Sequence, residues 1–352
     1  MSLNFYQALG KTETWPNLSQ VSPASLTYDD VLLVPQTLTE VSSRKKTDVS
    51  VKFGPFVLKK PIVASPMDTV SGERMARLMY KLGGLAFMPR VFINEALTAC
   101  RRLQKDKVEA VYSIGLKNAA ADATQFKKLG IKVLLLDVAH GGMKNVVETA
   151  AEIQAKLKLT VIAGNIVSFD QAMSYKKAGL KIARVGVGGG GLCTTRLVAG
   201  TGFPQLSAVF ETVSSGLEII ADGGIRKPAD FSKAIAAGAR VIMIGSMLAG
   251  TEEAPGEVEG GFKKARGQAS EDYMKDNGSK LGEFRSAEGI TTMVPYKGSA
   301  EWIINDLIGG LRSAMSYVGA KNIADFQKNA QFAMASPAAQ GENVAHIIYN
   351  KK

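Results

Sequence analysis

Short apolar runs recur along the chain at regular intervals, and polar residues do not alternate within them. Each run has four to six residues of mostly Val, Ile, Leu or Ala, which is typical of strands buried on both faces of a parallel sheet. The runs are PIVASPM from 61, GLAFMP from 84, AVYSIG from 110, VLLLDV from 133, TVIAGN from 160, IARVGV from 182, EIIADG from 218 and VIMIGS from 241. Their starts are 23, 26, 23, 27, 22, 36 and 23 residues apart, which predicts a repeated structural unit.

Helical patterns separate these runs. Examples are GERMARLMYKLG, AAEIQAKLK, DQAMSYKKAG and PADFSKAIAAG, and several end in Gly, which commonly terminates a helix. Strand and helix alternating at this interval indicate βαβ units. Eight such units predict an α/β protein with a (β/α)8 TIM barrel. A doubly wound open sheet is the alternative, but it does not normally need eight units this regular.

Three segments lie outside the repeat, and the last of them, from residue 301, has helical patterning. Residues 1–60 contain LTYDDVLLVPQ and SSRKKTDVSVKF and are expected to form an N-terminal arm that closes one end of the barrel. Residues 251–300, the flap, follow the last run and are rich in Gly, Glu and Lys. An insertion of this kind is either a disordered excursion or a mobile segment over the active site, and we expect the second. The whole chain, 1–352, is expected to be a single barrel domain.

The active site of a (β/α)8 barrel lies at the C-terminal ends of its strands. Polar and Gly residues stand at those positions, namely Ser65–Asp68, Asp137–Gly141, Gly164–Asn165, Asp222–Gly224 and Gly245–Ser246. Any one of them could be ordinary turn chemistry, but together at one face they predict a site. Gly223–Gly224 and Gly245–Ser246 follow runs seven and eight, where barrels commonly bind phosphate on backbone amides.

The longest interval carries a Gly-rich loop, Gly186–Gly191, which leads into Cys193. Its glycines indicate a backbone path that side chains would obstruct. A single Cys is more often a small buried apolar residue than a nucleophile. On a polar loop at the catalytic end of a barrel, however, we expect Cys193 to be a nucleophile. The exposed carbonyls of such a loop can also hold a monovalent cation.

Composition narrows the possible functions. The 352 residues are 46% apolar and 21% charged, as in soluble globular proteins. The net charge of +11 comes from scattered basic residues, so we do not expect nucleic-acid binding. Two Cys and two His exclude a disulfide framework and a three-His zinc site. With no membrane-spanning run and no signal-peptide pattern, the sequence predicts a cytoplasmic protein that does not bind membranes.

Several motifs in order resemble the IMP dehydrogenase/GMP reductase family. They are Leu26–Leu33, Ser65–Thr69, Cys193–Arg196, Asp222–Ile225 and Val294–Gly298. The resemblance runs from about residue 25 to 325. It implies a (β/α)8 barrel, usually a homotetramer, that binds a purine nucleotide and a nicotinamide dinucleotide. It also implies that a Cys attacks C2 of the purine and forms a covalent adduct.

Two features favour one branch of the family. Dehydrogenases usually carry two CBS modules after the second strand, and here only about 20 residues join the second and third runs. Dehydrogenases also carry an Arg-Tyr pair on the flap that activates water, and none occurs between Gln268 and Glu288. The stretch Gly282–Gly289 is similar to the reductase pattern. We therefore expect NADPH-dependent reduction of GMP to IMP and ammonia, with an IMP dehydrogenase lacking CBS modules as the alternative.

The resemblance also assigns residues to roles. Cys193, Thr195 and Glu288 are implied as catalytic, with Thr195 and Glu288 relaying a proton to the leaving amine. The implied substrate contacts are Ser65, Met67, Asp222, Gly223, Gly224, Gly245, Ser246, Gln268, Ser270, Arg285, Ser286 and Gly289. The implied cofactor contacts for NADPH are Asp137, Val138, Ala139 and Asn165. Carbonyls of Gly188, Gly190 and Cys193 are implied to hold potassium.

The sequence departs from the family pattern at two phosphate contacts. The family usually has Ser where Gly191 stands and Tyr where Ala265 stands. Either the nearby Lys263 and Lys264 compensate, or the ligand differs at its 5′ end, as a nucleoside or modified purine nucleotide would. Arg90 replaces part of a His/Lys-rich stretch and could meet a cofactor phosphate, although a surface Arg is the simpler interpretation.

Two other classes of function are less well supported. A non-catalytic nucleotide-binding protein would not need Cys193, Thr195 and Glu288 together. A nucleic-acid-binding protein would need a basic face, which the scattered charges do not predict.

Overall fold

The computed structural model describes residues 25–277, 282 and 286–340. Its N-terminal part begins with a 3-10 turn, Tyr28–Asp30, capped by the Thr27 side chain. Strand β1 (Val31–Leu33) pairs antiparallel with β14 (Phe332–Met334) near the other end of the described chain. Strands β2 (Val51–Phe53) and β3 (Phe56–Leu58) form a hairpin.

Eight parallel strands form a closed barrel, as the spacing of apolar runs predicts. They are β4 (Ile62–Ala64), β5 (Leu85–Met88), β6 (Ala110–Ile114), β7 (Val133–Asp137), β8 (Thr160–Ile166), β9 (Ile182–Val185), β10 (Glu218–Asp222) and β11 (Val241–Ile244). Each strand pairs with the next along the chain, and β11 closes on β4. The strands are almost wholly buried, which explains their unbroken apolar runs.

Helices surround the barrel and connect its strands. Those that follow strands of the barrel are α1 (Glu73–Leu82), α2 (Ile93–Lys105), α3 (Ala119–Lys128), α4 (Lys144–Leu157), α5 (Phe169–Lys177), α6 (Thr195–Val198), α7 (Gln205–Val213) and α8 (Pro228–Ala236). Local sequence sets their ends. Gly83 terminates α1 with a φ of +82°, and Ser168 begins α5 through a capping box with Gln171. Among the described residues, no helix is long and apolar enough to cross a membrane.

The β2–β3 hairpin lies across the N-terminal end of the barrel. The amide of Gly54 in its turn donates to the Glu218 carboxylate at the start of β10, 2.9 Å away. Phe53 beside it is fully buried. The described part of the arm therefore covers the end of the barrel opposite the predicted site. Residues 1–24 of the predicted arm lie outside the described residues.

The flap contains more regular structure than its composition predicts. Strands β12 (Phe262–Arg266) and β13 (Thr291–Pro295) pair antiparallel, and α9 (Glu271–Asp276) lies between them. The sequence FKKAR does not predict this strand. The residue at the buried position 263 is a Lys, so the apolar alternation typical of a strand is missing. The mobility of the flap stays a prediction.

The C-terminal part adds α10 (Ala300–Tyr317), α11 (Ile323–Asn329) and α12 (Pro337–Gln340). Helix α10 packs against α8 at Gly310, where an added Cβ would lie 2.4 Å from Pro228 Cβ. At the neighbouring Gly309 an added Cβ would meet nothing within 4 Å. The two adjacent glycines therefore allow a direct comparison, because Gly309 has room for a side chain and Gly310 does not.

We expect Gly309→Ala to raise the free energy of unfolding by about 0.5–1 kcal/mol, because Ala has the higher helix propensity. Gly310→Ala should lower it by about 1–3 kcal/mol, because the methyl group forces α10 away from α8. Urea unfolding of both variants measures this difference. Equal effects of the two substitutions would contradict the described packing of α10 on α8.

Candidate active site

The Gly-rich loop after β9, residues 186–194, exposes a thiol at the C-terminal end of the barrel and is called the cysteine loop below. The Cys193 side chain is exposed, and its sulfur lies 3.1 Å from the Thr195 hydroxyl. A short helical turn, α6, begins at Thr195 and fixes this spacing. The second cysteine, Cys100, is fully buried. Of the two thiols, only that of Cys193 is accessible to a ligand.

Glycines shape this loop by close backbone approach. Gly186 has a φ of +139°, and an added Cβ would lie 2.0 Å from the Asp222 carbonyl oxygen. The loop is thereby held against the end of β10. Any side chain at Gly186 would separate the two segments.

Backbone hydrogen bonds join the end of the flap to the cysteine loop. The Thr194 amide donates to the Glu288 carbonyl at 2.8 Å, and the Ile290 amide donates to the Leu192 carbonyl at 3.0 Å. Gly289 is buried between them, where an added Cβ would lie 3.2 Å from the Leu192 carbonyl oxygen. The structure thus brings together the segments that carry the three residues predicted to be catalytic, Cys193, Thr195 and Glu288.

The predicted phosphate loops converge beside the cysteine loop. Gly223 and Gly224 have φ angles of +102° and +78°, and the Gly224 amide donates to the Gly189 carbonyl at 2.9 Å. At Gly191 an added Cβ would lie 3.0 Å from the Ser246 hydroxyl oxygen. The loops after β9, β10 and β11 therefore form one surface.

The loop after β4 completes that surface. An added Cβ at Gly245 would lie 3.2 Å from the Met67 sulfur and 3.6 Å from Ser65 Cβ. The Ser65 amide donates to the Ile244 carbonyl, and Ser65 is buried whereas Met67 is half-buried. Both residues lie where the sequence predicts substrate contacts.

A buried arginine crosses the mouth of the barrel. Arg184 on β9 bonds the Asp137 carboxylate with Nη1 at 2.5 Å and the Asp222 carboxylate with Nε at 2.9 Å. Asn165 donates to the same Asp222 oxygen at 2.8 Å and to the Gly186 carbonyl at 2.6 Å. Sequence reasoning missed Arg184 because it stands inside an apolar run. A charged residue within a buried strand was the signal that could have found it.

Asp137 is paired with two arginines at this mouth. Besides Arg184, its carboxylate accepts Arg90 Nε at 3.1 Å. Burial alone would raise the pKa of Asp137, but the charges of Arg184 and Arg90 outweigh burial and hold it below its ordinary value. Arg90 is partly exposed, as the simpler interpretation expects, but its guanidinium also pairs with a buried carboxylate.

The other predicted cofactor contacts lie beside Asp137. The Val138 amide donates to the Gly164 carbonyl at 3.1 Å, and the Asn165 amide donates to the Val138 carbonyl at 3.0 Å. Val138 is half-buried and Ala139 is exposed. The ends of β7 and β8 thus bring these residues to one edge of the mouth.

The base of the flap is clamped to the loop after β4. Arg266 donates to the Asp68 carboxylate through Nε at 3.0 Å and Nη2 at 2.5 Å, and its Nη1 bonds Asp276 at 2.5 Å. The Gln268 amide nitrogen donates to the Pro66 carbonyl at 2.6 Å. Ser270 is buried, and its hydroxyl accepts the Tyr273 amide as the N-cap of α9.

Two predicted flap contacts remain, Ser286 and Arg285. Ser286 is exposed next to the bonded segment at Glu288 and Gly289. Arg285 lies outside the described residues.

The lysines proposed to replace the missing phosphate contacts already have partners. The buried Lys263 ammonium donates to the carbonyls of Thr251 and Ala254. Lys264 pairs with the Asp272 carboxylate at 3.3 Å. Ala265, where the family usually has Tyr, is fully buried. This arrangement therefore does not support the idea that Lys263 and Lys264 compensate for the missing phosphate contacts.

The potassium prediction concerns carbonyls of the Gly-rich loop. Gly188 has a φ of +80°, and the Gly190 carbonyl accepts the Cys193 amide at 3.1 Å. A carbonyl oxygen has two lone pairs, so this bond leaves one for a cation. The loop is compatible with a monovalent cation, and its presence stays a prediction.

The fold and this site define a (β/α)8-barrel protein with an accessible cysteine at the end where barrel enzymes keep their active sites. Residues 25–346 match the model of the IMP dehydrogenase / GMP reductase domain. The chain therefore belongs to this family of purine-nucleotide oxidoreductases, as its motifs predict.

Individual relatives carry both names of the family. The chain is 34% identical to an inosine-5′-monophosphate dehydrogenase of Cryptosporidium parvum over 383 aligned positions, 92% of this chain and 95% of the relative. It is 35% identical to the enzyme of that name from Helicobacter pylori, covering 91% of this chain and 72% of the relative. Its fold is similar to a GMP reductase from Trypanosoma brucei solved with guanosine 5′-monophosphate, at a TM-score of 0.85 and 27% identity over 94% of this chain and 100% of the other.

Proposed function

We propose that the protein is a GMP reductase that converts GMP to IMP and ammonia with NADPH. The observation that carries this proposal is the contact of 3.1 Å between the Cys193 sulfur and the Thr195 hydroxyl, next to the backbone of Glu288. This arrangement offers a nucleophile and a route for a proton. The sequence between Gln268 and Glu288 lacks the Arg-Tyr pair with which dehydrogenases of the family activate water.

In the first step, the Cys193 thiolate adds to C2 of the purine and forms a carbon–sulfur bond. The bond between C2 and the 2-amino nitrogen then breaks, and the nitrogen leaves as ammonia. An amine of this kind is a poor leaving group, so it needs a proton from a general acid. In this proposal Thr195 and Glu288 relay that proton, which is supported by the Thr195 hydroxyl 3.1 Å from the Cys193 sulfur and by the Glu288 carbonyl that accepts the Thr194 amide.

In the second step, C2 accepts a hydride and the carbon–sulfur bond breaks, which restores the thiolate and releases IMP. A reduced nicotinamide dinucleotide supplies the hydride when it is bound. The residues around Asp137 fit such a group, because Arg90 from the loop after β5 uses only Nε for Asp137 and its side chain is 36% exposed. Its other nitrogens can donate to a phosphate, and the side-chain oxygen of Asn165 can accept a hydrogen bond.

In this proposal Asp222 holds the ribose of the substrate. Asn165 and Arg184 both donate to its Oδ2, which leaves Oδ1 to accept a ribose hydroxyl. The Gly223–Gly224 and Gly245–Ser246 loops offer backbone amides to the 5′-phosphate. Arg184 Nε, 2.9 Å from the Asp222 carboxylate, holds that carboxylate in place while the ligand binds.

IMP dehydrogenase activity is the second candidate. The names of the curated relatives, at 34% and 35% identity over nine tenths of the chain, favour it. That reaction needs a base to activate the water that hydrolyses the adduct. The Arg-Tyr pair that does this in dehydrogenases of the family is absent between Gln268 and Glu288, so reduction remains our proposal. A modified purine nucleotide or a nucleoside is a third possibility for the substrate.

Absorbance at 340 nm separates these candidates. Purified protein is mixed with GMP and NADPH in one cuvette and with IMP and NAD in another. The reductase proposal predicts a decrease in the first and no change in the second. An increase in the second alone would establish the dehydrogenase and show that another residue activates water.

We expect Thr195→Val to lower kcat by about 10²- to 10⁴-fold, because it removes one link of the proton relay. Thr195→Ser keeps the hydroxyl and serves as the matched control, with turnover within a few-fold of the wild type. The melting temperatures of both variants should stay close to that of the wild type because Thr195 is not in the core. Wild-type turnover by Thr195→Val would remove Thr195 from the mechanism.

A further inference from the structure

Lys297 lies beneath the turn that follows β11. Its ammonium donates to the carbonyl oxygens of Ser246 and Met247, both at 3.1 Å. The amide of Lys297 donates to the Gly250 carbonyl at 3.0 Å, which fixes the start of this side chain beside the same turn. Sequence reasoning noted Lys297 only as part of a motif and gave it no role.

The charge of Lys297 has no counterion in the part of the chain that the structure describes. Glu301, four residues after Lys297, forms no ion pair with it in the described structure, and the first acidic residues after the turn serve other groups: Glu252 pairs with Arg74 at 2.9 Å. Glu253 accepts the Ser299 hydroxyl at 2.7 Å and the Ala300 amide at 2.8 Å. Burial lowers the pKa of Lys297, and no neighbouring carboxylate offsets that effect. The Lys297 side chain is half-buried, and among the described residues its ammonium bonds only carbonyl oxygens, so its charge can act on an anion bound at this turn.

The hydrogen bonds of Lys297 act on the peptides that would hold such an anion. The Ser246 carbonyl belongs to the same peptide group as the Met247 amide, so a cation on the carbonyl makes that amide a stronger donor. Among the described residues, neither the Ser246 amide nor the Met247 amide donates to a backbone carbonyl. These two amides remain free for a ligand on the side of the cysteine loop, where Gly191 faces Ser246.

We propose that Lys297 is a positioning residue that makes this turn select a purine ligand with a 5′-phosphate over the corresponding nucleoside. This inference rests on the proposed function, because it assigns the phosphate of that substrate to the Ser246–Met247 amides. It also explains how a site with Gly191 and Ala265, which offer no side-chain donor, can hold a phosphate. Lys297 acts on the phosphate through the peptide group that joins Ser246 and Met247. It thereby provides the positive charge that Lys263 and Lys264 do not provide.

The test compares the dissociation constants of GMP and guanosine, measured by calorimetry on the full chain. Lys297→Gln keeps an N–H donor without the charge, and Lys297→Arg restores the charge. Lys264→Gln is the matched control, since Lys264 lies on the neighbouring strand and pairs with Asp272. Melting temperatures confirm that each variant is folded.

We expect Lys297→Gln to weaken GMP binding by about 10- to 100-fold, the usual effect of losing a charge-assisted contact, and to change guanosine binding less than twofold. Lys297→Arg should recover most of the GMP affinity, and Lys264→Gln should match the wild type. Equal losses for GMP and guanosine in Lys297→Gln would mean a merely structural role and overturn the inference. Unchanged GMP affinity in that variant would overturn it as well.

The outcome for the wild type separates this inference from the proposed function. A wild-type protein that binds GMP no better than guanosine contradicts the selection of phosphate at this turn. A wild-type protein that prefers GMP, but does not convert it with NADPH, contradicts the reductase proposal. In that second case the comparison of Lys297→Gln with Lys297→Arg still decides the role of Lys297.

Discussion

Cys193→Ser is expected to reduce turnover of GMP by roughly 10³-fold or more, because a hydroxyl at this position is far less ionised than a thiol and forms the purine adduct slowly. The affinity for GMP should change little, since the ribose and phosphate contacts lie on other loops. Folding should also be unaffected, because the Cys193 side chain is exposed. Steady-state kinetics with GMP and NADPH, together with the melting temperature, measure these effects.

Cys100→Ala is the matched control for that variant. Cys100 is fully buried on α2 and belongs to the hydrophobic core. We expect a lower melting temperature with turnover close to that of the wild type. If Cys193→Ser turned over GMP at the wild-type rate, the covalent mechanism would be wrong whatever the effect of Cys100→Ala.

Arg184→Met should lower the free energy of unfolding by about 3–5 kcal/mol, because it leaves the Asp137 and Asp222 carboxylates without their shared cation in a buried site. The pKa of Asp137 in the folded wild type is below its ordinary value. As the pH falls, Asp137 therefore takes up a proton at a higher pH in the unfolded chain than in the folded protein. The stabilisation that Asp137 contributes is therefore complete above about pH 4 and is lost below it. The penalty of Arg184→Met should shrink over the same range.

Arg102→Met provides the comparison for an exposed pair. Arg102 bonds Glu73 at 3.2 Å, and 65% of its side chain is exposed. Such pairs contribute at most about 1 kcal/mol, so this variant should unfold near the wild-type denaturant concentration. Chemical denaturation at pH 7 and at pH 3.5 gives both quantities. A similar small loss in the two variants would show that Arg184 does not hold the two carboxylates.

The barrel could be predicted from the sequence because each of its strands is buried on both faces. An unbroken apolar run such as VLLLD is then the direct consequence of its position, and β7 spans that run. The turn glycines were also informative, since Gly223 and Gly224 have positive φ angles that other residues rarely adopt. The cysteine loop stood out for the same reason.

Side-chain pairing across the barrel could not be read from the sequence. Arg184, Asp137 and Asp222 lie on three different strands, and only closure of the barrel brings their charges together. Lys297 is 51 residues from Ser246 and meets its carbonyl only after the flap has folded back. The β12–β13 ladder was missed because a buried Lys263 interrupts its pattern. In each case tertiary contacts decided the role of a residue with an ordinary local sequence.

The central claim is that Cys193 forms a bond to the purine, and peptide mass spectrometry tests it most directly. The protein is quenched in acid during turnover of GMP with NADPH and digested with trypsin. The proposal predicts that the peptide VGVGGGGLCTTR, which contains Cys193, gains the mass of GMP less ammonia. The peptide VFINEALTACR, which contains Cys100, should remain unmodified. Continued turnover with no adduct on Cys193 at any quench time would contradict the proposed mechanism.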